Sequence, residues 1–166
     1  MKNTMKKLMA LILAVCCIFA MSSCSPKPDK KLDQAKIKLE MAGYAVSYEN
    51  SGEYMQDPTI AEYLEAMKGE DYLEVYKFNT RKVARLYYKN LKIVHDAEID
   101  SYKTKIKLIE HTLEKFEENL DDTDIEWYEN QLKMYEGLLE DAEKTVIGRS
   151  GKTVWIGTKD AVKSTK

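Results

Sequence analysis

Residues 99–146 read IDSYKTKIKLIEHTLEKFEENLDDTDIEWYENQLKMYEGLLEDAEKTV. Within them Ile99, Tyr102, Ile106, Ile109, Leu113, Phe116 and Leu120 are spaced alternately three and four residues apart. Ile125, Tyr128, Leu132, Tyr135, Leu139, Ala142 and Val146 repeat that spacing. Each set lines one stripe of a helix and keeps it facing a single neighbour over about three heptads. Asp121-Asp122-Thr123-Asp124 separates the two, and Thr123 followed by Glu126 fits a capping box that starts the second helix. Folding that helix back antiparallel pairs 99 with 146, 106 with 139, 113 with 132 and 120 with 125. The segment predicts a coiled-coil-like helical hairpin, each helix on the order of 33 Å long at 1.5 Å per residue.

Shorter elements flank the hairpin. Leu32, Ala35, Leu39 and Ala42 share one face of a first helix, with Asp29 as N-cap and Gly43 past its end. Residues 44–48 alternate as a strand. Asp57-Pro58 reads as the opening of a second helix with the stripe Ile60, Leu64 and Met67, ended by Gly69. Residues 72–78 form a strand, and Val83, Leu86, Tyr87 and Leu91 line a third helix. Nothing between Leu91 and Ile99 breaks that helix, so it can run on into the hairpin. Residues 145–149 and 152–157 are β-rich runs about a Ser150-Gly151 turn, and a short helix starts at Thr158. The expected class is α+β: a small four-stranded sheet with packed helices, residues 32–166 forming one domain with the arm 99–146 inserted.

The N-terminus gives an address. Lys2, Lys6 and Lys7 precede the uncharged run 8–21, and Ser22-Ser23-Cys24 follows. A basic start, a short apolar run and a small-residue end make a secretory signal peptide, too short to span a bilayer. The ending Met21-Ser22-Ser23-Cys24 resembles the lipobox of bacterial lipoproteins, with Met21 where Leu is usual. The resemblance implies removal of residues 1–23, acylation of Cys24 and lipid anchoring on the extracytoplasmic face of a bacterial envelope. Several acyl chains together hold a protein at a membrane essentially permanently. Residues 24–31 are then a tether whose prolines favour an extended spacer and whose lysines suit anionic lipid.

Loss of Lys2, Lys6 and Lys7 takes the 26 basic residues to 23 against 28 acidic ones, a net charge of −5, which argues against nucleic acid as a partner. Cys24 would be the only cysteine left, so a disulfide, a thiolate metal site and thiol catalysis are all excluded for the processed chain. Other chemistry finds little support. Gly148-Arg149-Ser150-Gly151-Lys152-Thr153 lacks the first glycine of a phosphate loop and precedes a strand rather than a helix. The cluster Asp121, Asp122, Asp124 and Glu126 fails the calcium-loop pattern at Trp127 and Lys133. His95 and His111 have no metal-ligand spacing, and no serine has an evident base. No cofactor, metal or catalytic residue is expected, and an envelope hydrolase ranks third among the readings.

Binding is the leading expectation, with a protein partner or envelope component. Trp127 stands beside the seam near the arm's tip, where packing does not require it, with Asp121, Asp122 and Asp124 around it. Tyr72 and Tyr76 share a sheet face with Phe78. Together with Tyr44, Tyr48 and Trp155 they would line the pocket of a solute- or glycan-binding accessory protein, the alternative reading. Residues 98–144 hold 15 acids and 6 bases, a net of −9, leaving +4 on the rest of the processed chain. A mildly basic body would sit at an anionic membrane while an acidic arm is repelled from it.

Overall fold

Gly69-Glu70 and Gly151-Lys152 are the two tight turns that set the pairing of the sheet. Gly69 lies at φ 58° and Gly151 at φ 62°, the left-handed region that a two-residue hairpin requires and glycine enters without strain. They join Lys68 to Asp71 and Ser150 to Thr153, each pair directly opposed across antiparallel strands. The second turn therefore falls one residue later than Ser150-Gly151.

The computed structural model describes residues 27–29, 31–50, 57–116 and 120–166. Its elements are α1 (Leu32–Met41), β1 (Ala45–Asn50), β2 (Ile60–Lys68), β3 (Asp71–Phe78), α2 (Arg81–Phe116), α3 (Asp122–Lys144), β4 (Thr145–Ser150), β5 (Thr153–Thr158) and α4 (Lys159–Lys163). The five strands form one antiparallel sheet in the order β1-β2-β3-β5-β4. The class is α+β as expected, with five strands rather than four.

The extra strand is β2, where the expected helix does not form. The Asp57 carboxylate accepts hydrogen bonds from the Thr59 amide (2.8 Å) and hydroxyl (2.7 Å), so it closes a local turn instead of capping a helix. Beyond it Leu64 and Ala66 are both fully buried, a period of two rather than 3.6. The Gly69 turn lays β3 directly alongside.

Helices cover both faces of the sheet. On one, Leu64, Ala66, Leu73, Val75 and Trp155 pack against Leu32, Ala35 and Leu39 of α1 and Ala161 and Val162 of α4. On the other, Phe78 and Val154 pack with Ala84, flanked by Val83, Tyr87, Tyr88 and Leu91 of α2. Each large side chain fully buried this way contributes roughly 1.5–3 kcal/mol. The first turns of α2 are thus sheet-bound, and the same unbroken helix continues outward as the arm.

Residues 28–29 are docked rather than a free spacer. Pro28 is buried. The Asp29 amide donates to the Thr165 hydroxyl (3.2 Å), and its carboxylate pairs with Lys38 (2.9 Å). Asp29 also accepts weakly from the Lys31 amide (3.3 Å), while the N-cap residue of α1 is Lys31, without a side-chain cap. Pro28 stiffens this entry segment, and the C-terminal turn receives Asp29. The signal peptide and Cys24 lie outside the described residues.

β5 passes so close to β3 that a Cβ on Gly157 would stand 2.3 Å from the Tyr72 carbonyl oxygen and 2.7 Å from the Leu73 Cα. Backbone cannot yield as a side-chain tip can. Gly157→Ala is expected to destabilise the fold by about 1–3 kcal/mol or more in urea titrations followed by circular dichroism, as overpacking at an unyielding site does. A loss below about 1 kcal/mol would contradict this packing.

Candidate functional site

The arm is the outward part of α2 together with α3. Past Leu91, no described residue of α2 or α3 belongs to either core cluster. α3 has no buried residue over its 23 positions, and on the outward part of α2 only Ile109 is buried. The Tyr102 ring lies 6.3 Å from that of Tyr135, and the Lys105 ammonium 4.7 Å from the Tyr135 ring centre. Pairing Tyr135 with Ile109, as the seams alone suggest, is therefore displaced by about one helical turn toward the arm's base. At the base, Val146 belongs to β4, opposite Gly157, so α3 ends at Lys144 and 146 is not a helical partner for 99.

The tip is organised by Asp121. Its carboxylate accepts from the Asp124 amide (2.9 Å) and makes Asp121, not Thr123, the N-cap of α3. Asp122 and Asp124 occupy the first turn, where negative charge offsets the helix dipole. These acids thus have a structural role, and among the described residues no three His, Cys, Asp or Glu side chains group to hold a metal ion. Trp127 is 56 % exposed, resting edge-on against Tyr128 at 4.9 Å.

The aromatic pocket is not assembled. Trp155 pairs with Val75 and is 2 % exposed, on the face under α1 and α4 with Tyr44 and Tyr48 beside it. Its Gly148 neighbour leaves room for the indole ring. Tyr72 and Tyr76 face the other way. Tyr76 is held by Tyr63 (5.0 Å), Tyr87 (5.1 Å) and Phe78 (6.4 Å), and Tyr72 shares a hydrogen bond with Thr145 (3.0 Å). Strand neighbours alternate faces, so one β-sheet surface cannot gather all five. The part of this face that α2 leaves open is a shallow hollow of about 330 Å³ along Ala45, Ser47, Glu65 and Met67, with no aromatic lining.

A cleft of about 430 Å³ opens where α2, α3 and β4 meet, lined by Lys92, His95, Asp96, Glu143 and Ile147 among others. Lys92 and Asp96 form an ion pair at 3.0 Å. The cleft offers charged groups of both signs for polar recognition. Its Thr145 hydroxyl is engaged with Tyr72 and the Asp141 carbonyl. Sequence spacing gives His95 no metal-ligand role; the return of the chain through β4 makes it a cleft residue.

No helix among the described residues is long and apolar enough to cross a membrane. No protein-family model matches the chain, and no curated protein or solved structure matches it.

Burial, reinforced by Glu74 and Glu65, pushes the Tyr63 phenol up to about 12. Tyr76 is also raised, first by burial and then by its hydrogen bond to Glu74. The unfolded chain releases these protons near pH 10, before the folded one does, so their stabilisation is intact below pH 10 and lost as pH rises toward 12. Urea titrations at pH 9, 10 and 11 are expected to show stability falling across that window, and Tyr63→Phe to fall less steeply. An equal slope for both proteins would refute the assignment.

Proposed function

We propose that this protein is a membrane-anchored extracytoplasmic lipoprotein acting as a non-enzymatic interaction module, with the helical arm as its contact surface. The observation that carries the reading is the arm's redundancy to the fold. α2 contributes to the core only as far as Leu91 and α3 not at all, yet a further length of α2 and all of α3 continue outward with large apolar side chains in solvent. Exposed apolar surface of this kind marks interaction sites. Trp127 at the tip, with Asp121, Asp122 and Asp124, is the leading contact.

Cys24 supplies the anchor in this reading. Only four residue steps separate it from Pro28, at most about 14 Å of extended chain. A spacer that short holds the body against the lipid surface, where Lys27, Lys30 and Lys31 favour anionic headgroups. The arm is then the part able to reach a partner.

Two measurements test this. Cys24→Ser is expected to release the protein from the membrane fraction or to leave it unprocessed; fractionation identical to wild type would remove the anchor. A photo-crosslinking amino acid at position 127 in intact cells is expected to trap a discrete protein adduct, absent when the probe replaces exposed Lys159 on the body. Adducts equally frequent at both positions would remove the tip as a specific contact.

A further inference from the structure

We infer that the arm pairs with the arm of a second copy of this chain, through a strip formed by Leu108, Thr112, Trp127, Gln131, Met134 and Leu138. This deepens the reading of the arm as a contact surface and rests on it, but not on the anchor at Cys24. The strip follows from the heptad geometry. Lys103 and Glu143 form a 2.9 Å ion pair across one side of the hairpin, each one position after a seam residue. In an antiparallel pair, positions preceding the seam gather on the opposite side. Leu108, Trp127, Met134 and Leu138 all immediately precede seam residues. In one copy they are 65 %, 56 %, 44 % and 40 % exposed.

Charge is segregated between the two sides. Glu110, Glu114, Glu129, Glu136, Glu140 and Glu143 fall on the side of the Lys103–Glu143 bridge or just behind it. Along 101–112 and 127–138 the apolar strip carries a single charge, Lys105. A basic partner would be drawn to the acidic side and leave the strip in water. A second copy instead meets the strip with an identical neutral surface and keeps both acidic sides outward. That self-complementarity is what a twofold interface demands.

The dimensions suit this occupant. The full face of the arm, about 33 Å by two helices of about 10 Å each, is roughly 650 Å², of which the neutral strip is about half. A standard complex buries about 800 Å² per partner. Pairing would also give α3 the wide buried face that helices of a four-helix arrangement have and that one seam cannot provide.

Sedimentation equilibrium of the full chain in density-matched non-ionic detergent tests the inference. The wild type is expected to be dimeric at about 50 µM. Leu108→Glu combined with Leu138→Glu should raise the dissociation constant by about 100-fold or more, because four unpaired charges would be buried in the dimer. Helical circular dichroism should be unchanged, since both side chains are exposed in one copy. Met134→Lys should act the same way, and Glu140→Lys on the acidic side should leave the dimer intact. A monomeric wild type, or a dimer indifferent to both strip variants, overturns the inference. Either result leaves the photo-crosslinking at position 127 to report separately on a different partner.

Discussion

The ladder between β3 and β5 is the constraint on which the rest depends. It joins Leu73 to Gly157 and Lys77 to Thr153, closing a loop of about 75 residues that contains the whole arm. The entropy of closing a loop rises slowly with its length, so a long excursion costs little more than a short one once the ends are fixed. What the ladder demands is close approach. Gly157 provides it by having no side chain against the Tyr72 carbonyl. The two roots of the arm, β3 through α2 and β4 through α3, are thereby held in one sheet. The arm needs no core of its own to stand where it does.

Much of this was legible where the signal is local. The seams, the unbroken run from Leu91 to Ile99, the C-terminal β-hairpin and the capping Thr158 are each specified within a few turns of chain. Thr158 indeed accepts from the Ala161 amide (3.4 Å). The segment 60–68 was not legible, because Ile60, Leu64 and Met67 satisfy a helical stripe while Leu64 and Ala66 satisfy a strand. Asp57-Pro58 likewise begins a turn as readily as a helix. Pairing with β3 decides between them, and pairing is not a property of the segment itself.

The candidate sites show the same division. Alternation along β5 separates Trp155 from Val154 and Ile156, but only strand order tells which face each occupies. With β5 beside β3, Trp155 joins Val75 in the core and is lost as a recognition residue. Trp127 needs no such information: its place beside the seam is helical geometry, and it is exposed. The net −9 of the arm does not say how its charges are placed. Sorting by heptad position leaves one side with a single charge, Lys105, along 101–112 and 127–138, a distinction invisible to a sum.

The docking of Asp29 against Thr165 has a mechanical consequence. Force applied through the N-terminal segment enters the fold at Pro28 and is shared at once with the last turn of the chain. The Thr165 hydroxyl is tied in turn to the Val162 carbonyl (2.8 Å), beside side chains already packed under the sheet. The two ends of the described chain are thereby tied to each other on the face under α1 and α4, and the first turns of α2 occupy the opposite face. A pull at the N-terminal segment is therefore met first by the α1–α4 face.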